Sequence, residues 1–337
     1  MKKNRLIVWM SILLSLLTTG CIREDDFDNS PMGNFEVLWK TIDERYCFLD
    51  YKGIDWNAVR NKYQPLIQPG MSHDGLFQVL GDMLAELKDG HVNLYSSSNM
   101  ARYWDWYLDY PRNFQESIME KYLGRNYRIA GSAKYTILED NIGYVYYGSF
   151  ANGIGNGNLD EMLSYLAVCN GLIIDVRNNS GGNLTFATRF ASRFTNEKVL
   201  TGYIQHKTGK GHNDFSEPKA LYIEPSDGVR WQKRVVVLTN RHAYSATNEF
   251  INAMRCFPNV TLMGDKSGGG SGLPFSSELP NGWRVRFSAS PHLDAQKQHI
   301  EFGIDPDYKV DMREEDALKG MDTIIEEARK LLKLSNH

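Results

Sequence analysis

The chain has 337 residues, of which 42% are hydrophobic and 23% are charged, and its formal net charge is −3 at pH 7. These values are near the average of globular proteins and exclude a disordered or fibrous protein, while the length suggests about two domains. A mildly acidic chain without a basic stripe is not expected to bind nucleic acid.

The N-terminus has the pattern of an export signal. Three basic residues precede an apolar run over residues 6–17, which is too short for a comfortable membrane span and is typical of a signal peptide. The run ends just before Cys21, in the sequence LTTGC. We therefore predict a lipoprotein signal peptide over residues 1–20.

The LTTGC sequence resembles the lipobox of bacterial lipoproteins, in which the cysteine is acylated and becomes the first mature residue. Thr18 departs from that pattern, because an aliphatic residue usually stands there, and an ordinary secretory signal with a chance cysteine is the alternative. Residues 21–33 are predicted to be an acidic tether to a lipid anchor at Cys21 in the outer membrane, on its periplasmic or cell-surface face. The acidic residues 24–26 resemble a surface-export tag or form a solvated linker.

The three remaining cysteines favour neither disulfides nor a metal site. Cys47, Cys169 and Cys256 are an odd number, and the chain has no CxxC pair. Stability must therefore come from a hydrophobic core.

Apolar residues at helical spacing predict an N-terminal helical domain over residues 34–100. Three amphipathic helices are expected in it, near residues 35–42, 56–63 and 75–87. Residues 101–134 are predicted to be an aromatic connecting segment. Packing of its aromatic residues over the helical unit is favoured over a role in gripping substrate.

Strands and helices alternate from residue 135, which predicts an α/β domain over residues 135–337. Apolar runs at residues 171–176 and 235–239 are typical of strands that are buried on both faces. A long charged helix is expected to close the chain over residues 316–334. The chemistry is expected at the carboxyl ends of the buried strands.

Ser245 lies between the second buried strand and a predicted helix. Amides in the first turn of a helix can stabilise an oxyanion, so a nucleophile would benefit from this position. Serine is also a favoured helix cap, and Glu249 nearby resembles a capping arrangement. Catalysis and capping both remain open from this segment alone.

The first buried strand ends in IIDVRNNSGG, residues 173–182. Asp175 and Arg177 are costly at a buried strand end unless they are paired, so an ion pair that holds the loop is expected. Gly181 and Gly182 allow backbone amides to come close to a ligand.

Two further segments carry groups that serve in acid–base chemistry. His91 follows a predicted helix in LKDGH and would, alone, be an ordinary surface residue. Glu301 begins the sequence EFGIDPD, which has three carboxylates, any of which could orient an imidazole.

Together, LKDGH, IIDVRNNSGG, YSATNEF and EFGIDPD resemble, in this order, the tail-specific (C-terminal processing) serine peptidases, especially the branch with the tricorn protease core. The resemblance implies a ClpP/crotonase-like α/β spiral core with a small N-terminal helical domain. It implies that Ser245 is the nucleophile, that His91 is its general base and that Glu301 orients His91.

The same resemblance implies an oxyanion hole built from the Ala246 amide and an amide of Gly181 or Gly182. It implies hydrolysis of peptides or unfolded proteins through an acyl-enzyme, with no metal and no cofactor. The sequence gives no oligomeric state. The alternative is a non-catalytic lipoprotein that binds peptides or hydrophobic ligands on the same fold.

The sequence departs from the family pattern in three places. Gly270 stands where relatives with a Ser-Lys dyad have the lysine, and Lys266 lies four residues earlier, so a histidine base is favoured. Gly90 replaces a serine that assists the histidine in the tricorn-like branch. The stretch between residues 100 and 135 is too short for the PDZ module of many relatives. His242, three residues before Ser245, is a weaker rival base.

Overall fold

The computed structural model describes residues 28–333. The predicted signal peptide, the predicted acylation of Cys21 and the first part of the predicted tether lie outside the described residues and stay predictions. Among residues 28–333, no helix has the length and apolar character needed to cross a membrane.

The described α-helices alternate with strands after an all-helical start. They are α1 (Pro31–Arg45), α2 (Trp56–Tyr63), α3 (His73–Ala85), α4 (Glu116–Leu123), α5 (Asn156–Leu166), α6 (Leu184–Ala191), α7 (Ala246–Met254), α8 (Glu314–Leu318) and α9 (Thr323–Lys333).

The described strands form two sheets. The strands are β1 (Asn93–Tyr95), β2 (Met100–Arg102), β3 (Arg128–Ala130), β4 (Ala133–Ile137), β5 (Ile142–Tyr146), β6 (Gly171–Asp175), β7 (Val199–Ile204), β8 (Lys219–Ile223), β9 (Val235–Thr239), β10 (Val260–Gly264), β11 (Gly272–Glu278), β12 (Arg284–Asp294) and β13 (Tyr308–Lys309).

Helices α1 to α3 form a helical unit with its own core. Each helix begins after a side chain that accepts a hydrogen bond from the amide three residues later, namely that of Ser30, Asp55 or Ser72. Such caps satisfy amides that have no partner within the helix. The apolar faces pack with Val285 and Phe287 of β12, so this core includes residues from the far end of the chain.

The larger sheet has the order β13-β10-β9-β6-β5-β4-β3. Strands β13, β10, β9, β6 and β5 run parallel, and β4 and β3 add an antiparallel edge. Strands β6 and β9 are buried along their whole length, as their continuous apolar sequences predict. Their carboxyl ends meet at one edge, where Asp175 pairs with Leu238.

The smaller sheet has the order β2-β1-β12-β7-β8, and β11 pairs with β12 outside this path. All of its pairings are antiparallel. Strand β1 follows the helical unit and pairs with β12. This pairing places the segment between α3 and β1 beside the larger α/β part of the chain.

Several elements differ from those predicted. The connecting segment contains α4 and β3, and β3 and β4 already belong to the larger sheet before the predicted boundary at residue 135. The closing helix is divided into α8 and α9. Gly320 has a φ of +73°, which interrupts the helix, and the Asp322 carboxylate then accepts hydrogen bonds from the amides of Ile324 and Ile325.

Candidate active site

Ser245 stands at the turn from β9 into α7 in a conformation that serine rarely adopts. Its φ of 58° and ψ of −122° lie outside the common regions for a residue with a side chain. The surrounding backbone holds the turn, because the Ser245 amide donates to the Gly269 carbonyl at 2.8 Å. The Ser245 side chain makes no capping hydrogen bond. Its position at the helix start is therefore not explained by capping.

His91 reaches Ser245 from the segment between α3 and β1. Its Nε2 lies 2.9 Å from the Ser245 Oγ, and the side chain is buried. The His91 backbone amide donates to the Asp89 Oδ1 at 2.8 Å, which fixes the direction of the loop. The two residues proposed from distant segments are thus in hydrogen-bonding contact.

The charge state of His91 follows from its surroundings. Burial lowers the pKa of His91 to about 4, against the attraction of the Asp89 carboxylate, which raises it. The imidazole is therefore neutral at pH 7 and can accept a proton from the Ser245 hydroxyl.

Of the three amides predicted for the oxyanion hole, two are free. The Gly181 amide donates to the Asn179 Oδ1 at 3.0 Å, so it is already used. The amides of Gly182 and Ala246 have no acceptor among residues 28–333, and both residues line the cavity that contains Ser245. A Cβ atom at Gly182 would overlap the backbone of Phe150 and Ala151, so this close approach requires glycine.

Glu301 does not make the contact expected of it. It is buried near the site, but its Oε1 pairs with the Lys52 Nζ at 2.9 Å and its Oε2 accepts the Ser271 amide at 2.8 Å. The His91 Nδ1 has no hydrogen-bond partner among the described residues. Glu301 does not contact His91 for two reasons. Lys52 is a buried cation that requires a carboxylate, and it pairs with Glu301. Gly90 has no hydroxyl that could connect Glu301 with the imidazole.

Asp89 and Lys52 are site residues that the sequence reasoning missed. The Asp89 carboxylate accepts hydrogen bonds from the hydroxyls of Tyr46 and Ser288, both at 2.9 Å, and lies 3.6 Å from the Lys52 Nζ. Burial would lower the pKa of Lys52, but the Asp89 and Glu301 carboxylates raise it to about 12. Lys52, Asp89 and Glu301 form the buried charge cluster behind His91. The aspartate in LKDGH was a signal for it, whereas Lys52 lies in no motif.

The aromatic segment does not pack over the helical unit as expected. The Trp106 ring stacks on the Tyr244 ring at 4.2 Å between centroids, and the Tyr107 ring lies 4.2 Å from that of His242. Gly90 leaves room for the Trp106 ring at this place, because a Cβ atom at residue 90 would lie only 2.8 Å from the Trp106 Nε1. These aromatic residues therefore support the turn that carries Ser245.

The other glycine departure has a similar explanation. A Cβ at Gly270 would overlap the Tyr244 ring, so a lysine has no room at this position. Lys266 lies at the surface, with its Nζ 3.5 Å from the Asp305 carboxylate. Neither residue supplies an amine to Ser245.

The loop before Gly181 is held by a buried ion cluster. Arg177 donates to Asp175 through Nε at 2.9 Å and Nη2 at 2.7 Å, and its Nη2 lies 3.0 Å from the Asp322 Oδ2. All three side chains are fully buried. The ion pair expected between Asp175 and Arg177 is present, and Asp322 extends it.

The buried charge cluster behind His91 predicts a pH-dependent stability. Burial raises the pKa of Glu301 to about 7, against the lowering effect of Lys52, so the folded state binds this proton more tightly than the unfolded state. The cost of burying the Glu301 charge is therefore present above pH 7 and is relieved as the pH falls from 7 towards 4.5. The stability of Glu301→Gln relative to the native chain should be higher at pH 8 than at pH 5, as measured by urea unfolding.

Other groups also make stability depend on pH; the lowered pKa of His91, for example, makes the free energy of unfolding fall in acid. Their contributions cancel when each variant is compared with the native chain at the same pH. Glu278→Gln, on the exposed edge of β11, is the matched control and should show the same relative stability at both pH values. A stability difference for Glu301→Gln that does not change with pH would contradict the raised pKa.

Comparisons with known proteins give a consistent result. Residues 141–310 match the model of peptidase family S41, and residues 27–85 match that of the Tricorn protease C1 domain. Ser245 and Glu301 lie within the first match, whereas His91 lies outside both.

Two curated relatives match about half of the chain each. A candidate Tricorn-like protease C-terminal subunit of Sulfurisphaera tokodaii is 32% identical over 175 residues, which are 48% of this chain and 18% of the relative. A candidate CtpA-like serine protease of Staphylococcus saprophyticus is 27% identical over 154 residues, which are 45% of this chain and 29% of the relative. The chain thus spans less than a third of the length of either relative.

A solved structure matches over almost the whole fold. The crystal structure of a candidate peptidase from Parabacteroides merdae is 58% identical and aligns with a TM-score of 0.87, over 90% of this chain and 97% of that chain. The α/β spiral core with an N-terminal helical part, expected from the sequence, is confirmed.

Proposed function

The chain belongs to peptidase family S41, and on that premise we propose that it is a serine endopeptidase that hydrolyses peptide bonds through an acyl-enzyme. Ser245 is the proposed nucleophile and His91 the proposed general base. The observation that carries this proposal is the 2.9 Å distance between the His91 Nε2 and the Ser245 Oγ. A serine in a strained turn, without a capping bond, has no evident structural reason to pair with a buried neutral imidazole.

In the proposed reaction, the Ser245 Oγ attacks the carbonyl carbon of the substrate while the His91 Nε2 takes the hydroxyl proton. Negative charge develops on the carbonyl oxygen, where the amides of Gly182 and Ala246 can donate to it. The C–N bond then breaks as His91 gives its proton to the leaving amine. Water enters, loses a proton to His91 and attacks the ester, and the carboxylic acid leaves as Ser245 regains its hydrogen.

We assign Glu301 a role through the buried charge cluster rather than through direct contact with His91. Above pH 7, where Glu301 is ionised together with Asp89 while Lys52 stays charged, the cluster carries one excess negative charge. The attraction between Asp89 and His91 favours the imidazolium that forms during each proton transfer. Lys52 holds Glu301 and Asp89 in place and is thus a positioning residue in this scheme.

The form of the site supports a polypeptide substrate. The cavity around Ser245 has a volume of about 320 Å³ and extends along the start of β11, an edge strand. An extended chain can lie beside such an edge, because its backbone groups are open to pairing. Peptides or unfolded proteins are therefore the proposed substrates.

The proposal is tested by covalent labelling. A fluorophosphonate probe should label the native chain with one equivalent at Ser245, located by peptide mass mapping, and Ser245→Ala should remain unlabelled. Ser267→Ala, which changes a buried serine outside the proposed reaction, is the matched control for labelling. If the native chain takes no label and does not cleave denatured protein, the proposed function is wrong and the non-catalytic alternative gains weight.

A further inference from the structure

A second cavity lies next to the one that contains Ser245. It has a volume of about 190 Å³ and is enclosed by α6, α7, the β7–β8 hairpin and the end of β12. Its walls are mainly apolar side chains, namely Ala187, Leu221, Ile223, Phe250, Ala253 and Leu293. A pocket of this size and lining suits a single aliphatic or aromatic side chain.

The two cavities share part of their walls. Leu184, Glu249 and His292 line both of them. Glu249 is one helical turn after Ser245, and its amide donates to the Ser245 carbonyl at 3.1 Å. A substrate bound to Ser245 therefore lies beside the entrance to the second cavity.

The geometry of acyl transfer indicates which part of the substrate points there. The attacked carbon carries the Ser245 Oγ, the oxyanion, the leaving nitrogen and the Cα of the acyl residue. The oxyanion faces the Ala246 amide, and the leaving nitrogen must be within reach of His91, which lines the Ser245 cavity but not the second one. The second cavity, which His91 does not line, is therefore the one that stays open to the remaining substituent, the acyl residue.

Resting on the proposed serine chemistry, we propose that the second cavity is the acyl-side specificity pocket and that it takes one large apolar side chain. Glu249 and His292 are the specificity-determining pair at its entrance.

The charges at the entrance support this selectivity. The His292 Nδ1 lies 3.1 Å from the Glu249 Oε1, and His292 is more than nine-tenths buried. Burial would lower the pKa of His292, but the nearby Glu249 carboxylate raises it. An acidic substrate side chain would be repelled by the Glu249 carboxylate at the entrance. A basic one that passes Glu249 into the cavity would lose its hydration among apolar walls.

The interior offers little to a polar side chain. The Asn252 amide donates to the Thr201 carbonyl at 2.8 Å, and its oxygen accepts from Arg255 at 2.9 Å. The Asn252 side chain is therefore already hydrogen-bonded on both ends. A polar substrate group would lose bonds to water without full replacement.

The test uses a wall residue that can change without disturbing the core. Thr188 lines the cavity but is exposed on α6. Methionine there is larger and would reduce the free volume of the cavity, while it favours the helix. Thr185→Met, on an exposed position of the same helix outside both cavity walls, is the matched control. The readout is kcat/KM for N-acetyl p-nitrophenyl esters of alanine, leucine, phenylalanine, glutamate and lysine.

The native chain should prefer the leucine and phenylalanine esters to the alanine ester by about ten-fold or more, and the charged esters should be poorest. Thr188→Met should lower kcat/KM for the leucine and phenylalanine esters by about ten-fold and leave the alanine ester within about two-fold. Thr185→Met should behave as the native chain.

Two results would overturn the inference alone, with the proposed function intact. One is a native preference for alanine or charged esters that is lost in Ser245→Ala. The other is an equal loss on all esters in Thr188→Met. If the native chain and Ser245→Ala hydrolyse every ester at the same rate, both the proposed function and the inference are wrong.

Discussion

Replacement of His91 by glutamine is expected to lower kcat/KM on peptide substrates by about 10⁴-fold. Glutamine preserves much of the side-chain volume but cannot accept the Ser245 proton and return it to the leaving amine. The buried site also excludes a substitute base from solvent, because His91 is only 5% exposed. The measurement is cleavage of a fluorogenic peptide at pH 8 by equal amounts of folded variant and native chain.

His242→Gln is the matched control, because His242 is close to Ser245 in sequence. Its ring packs on those of Trp106 and Tyr107, and it makes no hydrogen bond to Ser245. Its replacement should change kcat/KM by no more than about three-fold. Full activity of His91→Gln, with loss of activity in His242→Gln, would transfer the role of base to His242.

Replacement of Arg177 by methionine is expected to lower the free energy of unfolding by about 3–5 kcal/mol. The substitution leaves the carboxylates of Asp175 and Asp322 buried without their cation, since all three side chains have no exposure to solvent. Urea unfolding at pH 7, followed by circular dichroism, gives the difference. Arg230→Met, at an exposed position, should change stability by less than about 0.5 kcal/mol.

A second substitution separates loss of charge compensation from loss of packing. Adding Asp322→Asn to Arg177→Met removes one of the two uncompensated carboxylates, so part of the lost stability should return. If the double variant is less stable than Arg177→Met by the full cost of Asp322→Asn alone, charge compensation is not what Arg177 provides.

The proposed catalytic pair, Ser245 and His91, was predictable because the motifs that indicate it occur along the sequence in the order typical of the family. Ser245 alone fits a helix cap as well as a nucleophile, and His91 alone fits a surface residue. The prediction that they are in contact depends on LKDGH, the glycine pair and the EFGIDPD segment occurring together. Apolar spacing likewise predicted the helices of the helical unit and the buried strands β6 and β9.

The missed elements depend on contacts between distant residues. Strands β1, β2 and β11 have no strong alternating pattern in their sequences. They are strands because β1 and β11 pair with the long strand β12, and β2 pairs with β1. Lys52 lies in a loop of ordinary composition, and only the fold brings it to Glu301. That ion pair displaced the contact expected between Glu301 and His91, which a pattern of residue types could not predict. Cavity walls and burial-driven pKa changes are likewise properties of the folded chain.

Strand β12 has a consequence for how the chain becomes active. At its beginning, Val285 and Phe287 pack with the helical unit, and near its end His292 reaches the cavity beside Ser245. His91 is supplied from the helical side of this strand, and Ser245 from the larger sheet. A chain in which only the helical unit or only the larger sheet has folded has the proposed base without its nucleophile, or the proposed nucleophile without its base. On the proposed mechanism, hydrolysis therefore requires that both parts have folded and packed together.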